Sequence, residues 1–73
     1  MLSAKYGKAD IVKFMYNGTT KEGIIFSTSV ELINETKTEH ARAIFVYEIK
    51  VLNTNSLTPV YLHIDENNII EQL

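Results

Sequence analysis

Ala41-Arg42-Ala43-Ile44-Phe45-Val46-Tyr47-Glu48-Ile49-Lys50-Val51-Leu52 decides how this chain folds. Its odd positions Ala43, Phe45, Tyr47, Ile49 and Val51 are apolar without a break, while the even positions mix Arg42, Glu48 and Lys50 with Ile44, Val46 and Leu52. A period of two places alternate side chains on one face of a strand, and the β-branched and aromatic content suits a pleated surface. A helical stripe also exists through Ala41, Ile44, Phe45, Glu48, Ile49 and Leu52, but Glu48 interrupts it. The strand reading is the cleaner one.

The same period recurs on either side. Val12, Phe14 and Tyr16 alternate within 10–16, and Asn17-Gly18 follows as a turn signal, with a polar stretch running on through Glu22. Over 23–30 the reading places Ile24, Phe26, Thr28 and Val30 inward, with Leu32 and Ile33 packing where the strand leaves the sheet. Residues 34–40 read as a polar loop, making 31–40 a long connection, and Asn53-Thr54-Asn55-Ser56 as a second turn. Val60, Leu62 and Ile64 then alternate with Tyr61 and His63, Pro59 standing just ahead, where its missing donor does least harm. Asp65-Glu66-Asn67-Asn68 predicts a short helical turn with acidic residues at its positive end, and 69–73 a last strand.

The chain has 73 residues, a formal net charge of −2, 45% hydrophobic residues, one Pro and no Cys. That supports one small domain over 1–73 and no disulfide framework. A secreted domain of this size usually needs such staples, so the expected setting is cytoplasmic. No stretch approaches the ~18 apolar residues of a membrane span, and the polar start lacks the apolar core of a secretory signal. The abundance of Ile, Asn and Lys over Arg and Ala suits AT-rich codons, and suggests a low-GC bacterium or its phage.

Four or five short antiparallel strands with one buried face favour closure into a barrel, which removes exposed edges. The residues carry a resemblance of this kind. Ala9-Asp10, Val12, Phe14 and Tyr16-Asn17-Gly18, followed by Lys21-Glu22-Gly23-Ile24-Ile25, resemble the opening hairpin of small SH3-like barrels. Residues 60–71 are similar to their closing strand, one-turn 3₁₀ helix and terminal strand. Ala9 departs from the pattern, standing where a glycine is common. The resemblance implies an all-β, SH3-like small barrel of four to five antiparallel strands with a short helical turn before the last. That class hosts adaptors, nucleic-acid binders and subunits of larger complexes, so it names no function.

Chemistry-bearing patterns are few. His63 and Asp65 share a strand face, as a general base and its orienting carboxylate would, but no nucleophile accompanies them, and an exposed polar pair is the simpler reading. Glu35, Glu39 and His40 lie close in sequence, yet two His and no Cys fall short of a zinc set, and a solvated loop accounts for them. The glycines Gly7, Gly18 and Gly23 form no phosphate-binding loop. The expectation is therefore a non-enzymatic protein, with no cofactor and no metal.

The outward positions are the candidate site. Ile11, Met15, Ile25, Ile44, Val46 and Tyr61, with His63, would form an exposed, largely apolar patch suited to a protein partner, with the 31–40 loop beside it. The expected function is a protein–protein interaction module, of the size of small phage or mobile-element proteins that modulate a host protein. The same patch could instead make a homodimeric structural subunit. A nucleic-acid alternative rests on residues 1–21, which carry a charge of +3 through four lysines and one aspartate, and would use Lys5, Tyr6, Lys8, Lys13 and Lys21. The overall acidity disfavours it.

Overall fold

The computed structural model describes residues 3–35 and 40–73. Five strands run in the order β1 (Ile11–Tyr16), β2 (Thr19–Glu35), β3 (His40–Val51), β4 (Tyr61–Asp65) and β5 (Ile69–Gln72), with a 3₁₀ turn over Glu66–Asn68 before the last. They form one antiparallel sheet ordered β4-β3-β2-β1-β5. The expected closure is not met: β4 and β5 are the two edges, and the sheet is open.

The β1–β2 hairpin turns on Asn17 and Gly18, at φ of 49° and 79°, with Tyr16 directly opposite Thr19. Both central residues are left-handed, as a two-residue turn matched to strand twist requires. Residues 19–22, read above as an extension of the turn, are the start of β2.

β3 alternates as expected. Tyr47, Ile49 and Val51 are buried with Val12, Phe14, Ile25, Ile64 and Ile69, and Phe45, Val60, Leu62 and Tyr16 pack against them half-buried. Phe45 is thus at the margin of the core. Ala4 and Tyr6, in the segment ahead of β1, also pack on this cluster. The N-terminal segment therefore covers part of the face that a closed barrel would seal with strands.

In β2 the expected phase is wrong through Phe26, with Ile24 on the outer face beside Ile11, and holds for Thr28 and Val30, which lie on the core side. Ile25 is 1% exposed, whereas Phe26, assigned inward above, is 49% exposed. Two local causes act together. Gly23 stands opposite Val51 on the core face, and any Cβ there would strike the Ile49 side chain and come within 2.7 Å of the Lys50 carbonyl oxygen. An inward position without a side chain is invisible to a hydrophobic pattern. The register then shifts between Ile25 and Ser27, leaving Phe26 as an extra, bulged residue. Beyond this bulge the inward phase passes to even positions: Thr28, Val30 and Leu32 pair with Tyr47, Phe45 and Ala43.

By then β2 has outrun the core. Residues 31–35 and 40, read as loop, continue the β2–β3 ladder, with Glu35 opposite His40, and 36–39 lie outside the described residues. β1 pairs β2 only as far as Ile24, and β4 pairs β3 only from Val46 onward. The rest is a two-stranded arm, and the principal extents are 44 × 25 × 20 Å. Val30 at 55% and Leu32 at 73% exposure lie on it uncovered, so Leu32 does not pack at the strand exit as expected.

Ala9 sits at φ 75°, a left-handed conformation that costs a residue bearing a Cβ about 1–2 kcal/mol. Ala9→Gly is expected to stabilise the fold by about 1 kcal/mol, read as a raised urea midpoint. Gly23→Ala should do the reverse, costing about 1–3 kcal/mol through overpacking against Ile49, in the same titration.

Candidate functional site

Cross-strand register defines the outer face, opposite the core. Ile11 pairs Ile24, Ile24 pairs Lys50 and Lys50 pairs Tyr61, one row crossing four strands. At its β1 end, the Leu73 amide donates to the Ile11 carbonyl at 2.7 Å, which brings the C-terminal residue alongside. Ile11, Tyr61 and Leu73 are 41%, 43% and 53% exposed. The bulged Phe26 joins the row: its ring meets Tyr61 edge to face, centroids 5.4 Å apart at 73°. Because Phe26 belongs to β2 and Tyr61 to β4, the aromatic pair spans the outer surface of β3.

The expected patch is therefore present in altered form. Ile11, Met15 and Tyr61 are exposed; Ile44 and Val46 are half-buried on the outer face of the arm and its base. Ile25 is a core residue and leaves the patch, because ahead of the bulge at Phe26 the odd positions Gly23 and Ile25 face the core. Phe26 takes its place. No alternation rule finds a bulged residue; the available hint was an aromatic next to a glycine-led strand start.

His63 does not form a dyad with Asp65. Its Nε2 lies 3.4 Å from Glu48 Oε2, its cross-strand neighbour, with His63 well exposed. Asp65 instead caps the 3₁₀ turn, its Oδ1 accepting from the Asn67 amide at 2.8 Å. Among the described residues no three His, Asp or Glu side chains gather as metal ligands. Glu39, of the weighed acidic and histidine cluster, lies outside the described residues.

The nucleic-acid candidates are dispersed. Lys13 is on the outer face, opposite Glu22 on one side and Glu71 on the other. Lys21, opposite Phe14, is on the core face and lines an open cleft of about 750 Å³ with Tyr16, Val60 and Leu62. Lys5 and Lys8 are exposed in the N-terminal segment. Tyr6 is half-buried and packs on the core, its ring in a T-shaped pair with Tyr47 at a centroid distance of 5.8 Å, so it is not a freely exposed platform for a base.

Tyr47 is the one strongly perturbed titratable group among the described residues. Its ring is fully buried, and its hydroxyl donates to Glu66 Oε2 at 2.5 Å while accepting from the Tyr6 amide at 3.4 Å. The Lys5 amide donates to the same Glu66 oxygen at 3.1 Å. This network ties the N-terminal segment to the 3₁₀ turn across the core. Burial, reinforced by the hydrogen bond to Glu66, pushes the Tyr47 phenol up from 10.0 to about 12.

No family model matches the chain, and no curated protein or solved structure matches it.

The Tyr47 network makes a pH prediction. Between the unfolded phenol value of 10.0 and the folded value of about 12, the native state holds the proton and the unfolded state does not. The Tyr47 contribution is therefore complete below pH 10 and is lost as pH rises toward 12. Urea midpoints measured across that range should fall, and Tyr47→Phe should flatten the fall.

Proposed function

We propose that this chain is a non-enzymatic protein–protein interaction module that docks a protein partner through the outer face of its sheet. The observation that carries the reading is the exposed apolar row of Ile11, Phe26, Tyr61 and Leu73, lying across strands whose other face is already used as core. Exposed aromatic side chains offer large contact area at low entropic cost, and apolar surface gathered in this way marks binding sites more often than scattered residues do. Glu22, Glu48, Lys13 and Lys50, on the same face, supply a polar surround of mixed sign, which suits a protein surface better than a polyanion. The strand order, with a 3₁₀ turn joining the two edge strands, supports reading the domain as an opened SH3-like arrangement.

The test is capture from lysate of the source cell or its host, with and without nuclease. A stoichiometric protein partner that survives nuclease is expected. The double variant Ile11→Lys/Tyr61→Lys should abolish that capture while circular dichroism remains native, because both side chains are exposed. Capture that vanishes with nuclease, or that the double variant leaves unchanged, overturns the reading.

A further inference from the structure

The arm exposes something other than the outer face: an unpaired strand edge. On the side away from β3, the Ala9 amide donates to the Ile25 carbonyl at 2.8 Å and the Ile25 amide to the Asp10 carbonyl at 2.9 Å. Among the described residues those bonds are the last on that side. Among the described residues, β3 alone pairs with β2 from Phe26 to Glu35. Proteins commonly protect a free edge with lysine, proline or an inward-pointing charge. Between Phe26 and Leu32 this edge has none of these; Glu31 is its one charge, and it lies on the outer face, opposite Ile44. A two-stranded ribbon is marginal in water on its own, and this one also leaves Val30 and Leu32 uncovered on its core-side face.

We infer that the β2 edge pairs antiparallel with the β2 edge of a second copy of this chain, about a twofold axis at Val30. The occupant follows from self-complementarity. Continuing the sheet with core-side faces aligned requires even positions to meet even positions, because Thr28, Val30 and Leu32 share the core side. Of the central registers that satisfy this, one centres on Glu31 and sets two like charges opposite each other, which is destabilising. The other centres on Val30. It places Val30 against Val30 and Leu32 against Thr28, and gives Glu31 the hydroxyl of Ser29 as its neighbour.

The bonds from Ala9 and Asp10 to Ile25 mark where such pairing stops, so each arm tip ends beside the other copy's N-terminal segment. The free edge of β3 is the poorer choice. It is shorter, from His40 to Phe45, and Ser3, Lys5, Asp65 and Glu66 crowd it around a groove of about 310 Å³. The result is an isologous dimer with one continuous sheet.

Sedimentation of the full chain from micromolar to millimolar concentration tests this. A monomer–dimer equilibrium is expected. Val30→Lys sets two charges face to face at the axis and should raise the dimer Kd about tenfold or more. Val30 is 55% exposed, so the variant should keep native circular dichroism. The chain has no cysteine of its own, so Val30→Cys reports register directly. Oxidation should yield a covalent dimer through Val30→Cys and far less through Glu31→Cys. A chain that stays monomeric at millimolar concentration overturns the inference. So does a dimer that Val30→Lys leaves intact, or one that crosslinks through Glu31→Cys instead. Association lost in Ile11→Lys/Tyr61→Lys but kept in Val30→Lys assigns self-contact to the outer face, which separates the two surfaces.

Discussion

The close approach of β2 to β3 at Gly23 is the constraint on which the rest of the structure depends. Val51 lies opposite it and the Ile49 side chain occupies the space a Cβ would need. With that position emptied, Ile25 becomes the inward residue of β2, and a fully buried Val12, Phe14, Ile25, Tyr47 and Ile49 can share one layer. The bulge at Phe26 follows directly after Ile25 and hands the inward phase to even positions. Core, outer face and arm are set by these few residues of a single strand.

The bulge also links packing to surface chemistry. A bulged residue is left out of the ladder and re-aims its side chain. Here the re-aimed side chain is Phe26, which pairs with Tyr61 over β3 and gives the outer face its aromatic pair. The core then stops while β2 and β3 continue, so the chain has two distinct uncovered features: an apolar row on the sheet face and an unpaired edge on the arm. The Glu66–Tyr47–Tyr6 network stabilises the opposite end, holding the N-terminal segment across a sheet that does not close.

Much of this was legible in the sequence. The clean alternation of 43–51 gave β3 its inward face, Asn17-Gly18 its turn, and Asp65-Glu66 the 3₁₀ turn, because each rests on local chemistry. Ile11, Met15 and Tyr61 were placed outside for the same reason. Ile25 was placed outside with them but is a core residue, and Phe26 was read as inward but is exposed, because a glycine facing inward carries no hydrophobic signal and a bulge has no periodic signature. The polarity of 34–40 read as a loop although Asn34, Glu35 and His40 are paired in the ladder, since polar residues look alike whether or not they are paired.

The sequence by itself determined an all-β chain, the Asn17-Gly18 turn, the helical turn at Asp65-Glu66, and the residues of β1, β3 and β4 that face the core. These follow from side-chain alternation and turn preference, which act between near neighbours. Only the tertiary structure decided the phase of β2, the open sheet and the length of the arm. Each of those depends on which residues meet across strands that are distant in sequence: Gly23 with Ile49, Phe26 with Tyr61, and Glu66 with Tyr47. A pattern of hydrophobicity along one strand records how that strand is faced, but not what stands opposite it.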